Sequence, residues 1–172
     1  MIYDASKQRK RRMDAAQGYL ILELPDLALR ELNALAQAEK TSYEYFLLRG
    51  EVLRAKDEYH TALEAYLQAH TESPEDLYVL LGMAWCYKRI DRVDQAIETM
   101  RLAHESHQNV PIILYNIACY YALAGEKENA LSWLGRALRR DPSLLDLIPD
   151  ETDFESLRHD PDFAHLLTLT AK

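Results

Sequence analysis

The sequence is poor in the residues that punctuate or staple other kinds of protein, with 5 Gly, 6 Pro and 2 Cys among 172 residues. So few turn formers exclude a β-rich chain, which needs a turn every several residues. The two cysteines, Cys86 and Cys119, form no C-x-x-C pair, which excludes a disulfide framework and fits a reducing, cytoplasmic setting. No run of about 18 apolar residues is present, so no membrane insertion is expected. Residues 1–12 lack the apolar stretch of a signal peptide. Positive charge is short as well. Lys and Arg number 20 against 28 Asp and Glu, a net of −8, which argues against nucleic acid as a partner.

Catalytic patterns are also missing. There is no Gly-rich phosphate loop, no H-E-x-x-H and no G-x-S-x-G. His104 and His107 stand three apart, but no third ligand converges on them, so they read as solvated residues at a helix end. Acidic pairs such as Glu75-Asp76 and Asp150-Glu151 sit at turns, where carboxylates cap helices. No catalytic residue, no metal site and no cofactor is expected. The chain reads as a non-enzyme.

What remains is rich in alanine, leucine and glutamate, a helical composition. A shift of 34 residues aligns segments 9–42, 43–76, 77–110 and 111–144 without gaps. One register holds Ala16, Gly50, Ala84 and Ala118; another holds Ala28, Ala62, Ala96 and Ala130. Aliphatic Leu29, Leu63, Ile97 and Leu131 follow the second set. Tyr19, Leu53, Tyr87 and Tyr121 share a register, as do bulky Leu32, Tyr66, Met100 and Leu134. Within each segment two apolar helical faces flank a break such as Asp57-Glu58, Asp91-Arg92 or Gly125-Glu126. Proline stops the helix at Ser73-Pro74 and Asp141-Pro142. The spacing predicts helices over 6–22, 26–38, 43–56, 59–71, 77–90, 93–106, 111–124 and 127–140. Small residues let antiparallel helices approach closely. Since one pair cannot bury both its faces, the pairs must stack.

These registers resemble the tetratricopeptide repeat family. The fourth segment carries its pattern through Leu114, Ala118, Tyr121, Ala130, Leu134, Ala137 and Pro142. The second carries it through Phe46, Gly50, Leu53, Ala62, Tyr66, Ala69 and Pro74. The first departs, with Arg12 and Lys40 at apolar and proline positions and Pro25 near its turn. The resemblance implies an all-α, right-handed α-solenoid of four antiparallel helix pairs, forming one domain over 1–172. Residues 145–172 resemble the tails that close bacterial arrays of this family. In that tail Phe154, Leu157, Phe163, Leu166 and Leu167 are expected to cover the helix at 127–140, and Asp160-Pro161 to start a capping helix.

The resemblance also implies a concave groove lined by the first helix of each pair. Its positions here are Met13, Gln17 and Leu20; then Glu44, Leu47, Glu51 and Arg54; then Tyr78, Leu81, Trp85, Lys88 and Arg89; then Ile112, Tyr115, Asn116, Cys119 and Ala122. Apolar anchors beside mixed charge suit a protein partner offering a peptide or an amphipathic helix. Clamps in this family that grip a terminal carboxylate need asparagine where Gln17, Glu51, Trp85 and Cys119 stand, so that mode is not expected. A second reading is a self-assembling homo-oligomer, motivated by apolar Leu20, Ile21, Leu22 and Leu24. A small secretion-type chaperone is a minor variant of it. The basic cluster of Lys7 and Arg9 to Arg12 reads as a solvated helix start.

Overall fold

The computed structural model describes residues 2–170, without the side chains of 2–5, 38 and 170. The described residues contain helices and turns and no strand. Among them nine α-helices run in order: α1 (Ile2–Ile21), α2 (Pro25–Asn33), α3 (Tyr43–Ala55), α4 (Tyr59–Glu72), α5 (Leu77–Arg89), α6 (Val93–Ser106), α7 (Pro111–Leu123), α8 (Lys127–Arg140) and α9 (Pro161–Thr170). Helices α3 to α8 end within about a residue of the expected limits, as caps and breakers dictate. Ser42 accepts from the Tyr45 amide and Asp76 from the Val79 amide, each satisfying an orphan N–H of the first turn.

Helix α1 starts at Ile2, four residues before the expected 6, and helix α2 departs further. It stops at Asn33, five residues before the expected end at 38, and a short 3-10 turn, Gln37–Glu39, follows. Local groups hold this stop in place. The ammonium of Lys40 donates to the carbonyl of Asn33, and the Glu39 carboxylate accepts from the amide of Ala36 at 2.8 Å. Pro25 does not disturb the first segment, because it takes the first position of α2, where no N–H is needed.

The turns keep the repeat in their backbone. Glu23, Asp57, Asp91 and Gly125 have φ of 57°, 60°, 58° and 75°, and each lies 34 residues after the last. Every one of these left-handed residues closes the first helix of a segment and aims the chain into the second. Glycine suits that conformation, yet only the fourth turn has it.

By contact the chain divides into two compact units, 1–90 and 91–172, a boundary that falls inside the third segment. In the first unit α1 packs on α2, α3 on α4, and α5 on both α3 and α4. One core cluster joins Ala16, Ala28, Leu32, Leu35, Tyr45, Leu48 and Val52. Another joins Leu53, Ala62, Leu63, Tyr66, Ala69, Val79, Met83 and Cys86. The ring of Tyr66 explains why two positions are glycine. A Cβ on Gly50 would come within 2.8 Å of that ring, and one on Gly82 within 2.4 Å.

In the second unit α7 packs against α6 and α8, and the tail closes over both α7 and α8. Asp160 starts α9 as expected, accepting from the amides of Asp162 and Phe163. Lys127 pins that start to α8, its ammonium 2.7 Å from both Asp160 and Asp162. The tail packs on the helix at 127–140 as expected and also reaches α7. Two 3-10 segments, Pro142–Asp150 and Thr152–Leu157, precede α9, and the second lies on α7. Phe154, fully buried, meets the ring of Tyr115 edge-on at 5.7 Å, while Leu166 reaches Gly135 on α8.

Candidate partner-binding surface

Helices α1 and α3 lie side by side in the first unit, and their facing sides border a cleft of about 540 Å³. Met13 and Gln17 of α1 and Glu44, Leu47 and Glu51 of α3 line it together. Five of the expected groove residues thus meet, because Met13 and Gln17 stand one helical turn apart, as do Leu47 and Glu51. Ser6, Arg9, Lys10, Asp14, Tyr43 and Leu48 complete the lining and were not expected. Lys10 and Arg9 lie three and four residues before Met13, so helical periodicity within the expected helix 6–22 already places them on its side of α1. The basic cluster is therefore divided. Arg9 and Lys10 border the cleft, while Arg12 pairs with Glu31 of α2 at 2.8 Å.

The cleft mixes charged groups with the apolar side chains of Met13, Leu47 and Leu48. Arg9 donates to the Ser42 hydroxyl and lies 3.9 Å from the Glu44 carboxylate. Ser42 and the backbone amide hold the Glu44 carboxyl below its ordinary range, with Arg9 adding to the effect. Glu51 sits deeper; burial raises its pKa, and the guanidinium of Arg54 opposes that rise. Tyr43 is pushed up to about 12, first by burial and then by its hydrogen bond to Asp76.

Helix α5 presents the aromatic part of the expected surface. Tyr78 is 71% exposed and Trp85 41%, and the Lys88 ammonium stands 5.0 Å from the centre of the Trp85 ring. Leu81 is half-buried beside them. Several residues have other duties. Leu20 packs against the first core cluster, Arg54 acts on the hydroxyl of Tyr66, and Arg89 lies over the ring of Tyr59 at 5.0 Å.

The α7 residues need the largest correction. Ile112 and Asn116 are half-buried, but Tyr115, Cys119 and Ala122 are each 2% exposed. The Thr152–Leu157 segment covers that face, with Phe154 on Tyr115 and the Ser156 hydroxyl donating to the Ala122 carbonyl. Those three are internal, so no partner reaches them. His104 is corrected too. It is half-buried, edge-on to Trp133 at 5.4 Å and beside the Arg136 guanidinium. Burial and the neighbouring Arg136 and Arg140 lower its pKa.

Comparison with known proteins agrees with this helical repeat. Tetratricopeptide repeat profiles match residues 53–111 and 112–144, and the chain belongs to the tetratricopeptide repeat family. Over 132 residues it is 24% identical to the mouse (Mus musculus) tetratricopeptide repeat protein 21A; that stretch is 75% of this chain and a tenth of that protein's length. Among solved structures it is similar to a MamA RS-1 double mutant, with a TM-score of 0.79 at 17% identity over 95% of this chain and 93% of the other. It is also similar to MamA from Desulfovibrio magneticus RS-1, at a TM-score of 0.74, 17% identity, and 95% and 96% coverage. TTC0263, a tetratricopeptide repeat protein of Thermus thermophilus, aligns at 0.67 with 21% identity, covering 87% of this chain and 82% of that one. At such identities the likeness is one of fold. Among the described residues no helix is long and apolar enough to cross a membrane.

Proposed function

We propose that this chain is a non-enzymatic adaptor, a single repeat domain over 1–172 that binds a peptide or amphipathic helix of another protein. The cleft along α1 and α3 carries the reading. Residues at equivalent registers of two successive repeats, Met13 and Leu47, Gln17 and Glu51, line one continuous opening. Apolar side chains beside charged ones in that lining give a docked side chain both burial and orientation. Exposed Trp85 and Tyr78 on α5 supply anchors of the kind that dominate protein interfaces. The chain's own tail holds the α7 face, so the partner is expected to engage residues of α1, α3 and α5. Both cysteines are buried and neither is in a disulfide, which supports a cytoplasmic setting.

A pull-down from lysate of the source organism tests this, using wild type beside Trp85→Glu and a cleft pair, Gln17→Arg with Glu44→Arg. All three positions are exposed, and thermal melting of each variant beside the pull-down shows that it is folded. A protein held by wild type and released by both variants supports the reading. Capture that both variants leave intact sinks it.

A second reading, self-assembly, is favoured by one observation. Ile21, Leu22 and Leu24 at the α1–α2 turn are 75%, 67% and 44% exposed. Light scattering at micromolar concentration decides it, because a mass of 19.9 kDa removes the idea.

A further inference from the structure

The tail does more than cover α7. It brings two carboxylates, Glu151 and Asp153, against the thiol of Cys119, and one ligand atom from each lies within 4.8 Å of the others. Cys119 and Asp153 are buried and Glu151 is half-buried, so the cluster is closed on the helix side and reachable from the side of Glu151. A second observation concerns Tyr115, one helical turn before Cys119. Its ring is 2% exposed, and its buried hydroxyl makes no well-formed hydrogen bond, with the Cys119 thiol standing beside it. Burial first, and then Cys119, Glu151 and Asp153, raise the pKa of that hydroxyl, which therefore lies beside the cluster. A buried phenol left unsatisfied costs on the order of 1–3 kcal/mol and calls for a reason.

We propose that Cys119, Glu151 and Asp153 form a binding site for a divalent metal ion of the zinc type, with Tyr115 as its outer hydrogen-bond donor. The chemistry of the donors selects the ion. One sulfur and two carboxylate oxygens form a mixed set that zinc accepts and that calcium or magnesium, which take oxygen alone, do not. In a tetrahedral shell such donors stand about 3.5 Å apart, so small side-chain movements close the site. Three protein ligands leave a fourth position for water. The Tyr115 hydroxyl then gains an acceptor, either that water or a ligand carboxylate, as second-shell donors do. On binding, the thiol releases its proton and the two carboxylates and thiolate face a dication. The metal would tie the tail to α7, and so hold shut the face where the sequence alone puts a partner.

The test uses the full-length chain with Co²⁺ and Zn²⁺ as probes. Titrating Co²⁺ should give one equivalent with a thiolate-to-metal charge-transfer band, and Zn²⁺ should displace it. Cys119→Ser should abolish the band, and Tyr115→Phe should weaken zinc binding about 10- to 100-fold while leaving the band in place. Zinc should also raise the thermal midpoint of wild type more than that of Cys119→Ser. X-ray absorption at the zinc edge of wild type needs no variant, and should show one sulfur among light-atom donors. Absence of the thiolate band in wild type, or a zinc shell without sulfur, overturns the proposal, as does equal zinc binding by a folded Cys119→Ser.

Discussion

Tyr66 shows how much of this chain hangs on single side chains. Its ring rests against Gly50 and Gly82, neither of which has room for a methyl group. The hydroxyl is pushed up to about 12, mainly by burial, with the Arg54 guanidinium pulling the other way. An unfolded tyrosine ionises near 10. Between those two values the unfolded chain has released a proton that the folded chain still holds, so stability falls as pH rises. The contribution is whole below pH 10 and lost by pH 12, an effect of roughly 2–3 kcal/mol. Urea unfolding midpoints at pH 8, 10 and 11 should therefore fall more steeply for wild type than for Tyr66→Phe. Parallel curves for the two proteins would mean that Tyr66 ionises as freely in the fold as outside it.

At the scale of elements, the four turns share one conformation but not one residue. A glutamate at φ 57° pays the Cβ penalty that Gly125 avoids at the equivalent place. Glu23→Gly should therefore stabilise the chain by about 0.5–1 kcal/mol, read as a rise in thermal midpoint. Gly125→Ala should do the reverse by a similar amount. The tail obeys a different rule. Phe154 lies fully buried on Tyr115 and Phe163, so Phe154→Ala should cost about 3–5 kcal/mol through the cavity it leaves. Amide exchange should then speed up in 91–172 more than in 1–90.

For the whole molecule, the repeat explains why so few residue types suffice. Each helix meets only near neighbours, so a small residue and a bulky one at fixed intervals specify the packing again and again. The same economy leaves residues off the packing registers free to vary, and those residues make the surface. Within the first unit they meet in the cleft of α1 and α3 and in the aromatic face of α5. Binding is expected to follow this division. Variants at Met13, Leu47 or Trp85 should change partner capture, whereas variants at Ala62 or Ala130 should change stability.

Periodicity by itself determined the helices, since apolar spacing of 3.6 and a 34-residue repeat are local patterns that survive any packing. Five of the residues that line the cleft, Met13, Gln17, Glu44, Leu47 and Glu51, were legible from their register. Which face stays open was not legible. Tyr115 and Cys119 occupy the same registers as Leu47 and Glu51, and nothing near them in sequence shows that Phe154 covers them from 35 or more residues away. The Cys119, Glu151 and Asp153 cluster escaped for the same reason, because Glu151 reads locally as a helix cap and caps the amide of Asp153 in fact. A register fixes the direction in which a side chain points. Only the tertiary structure decides what, water or the chain itself, it meets there.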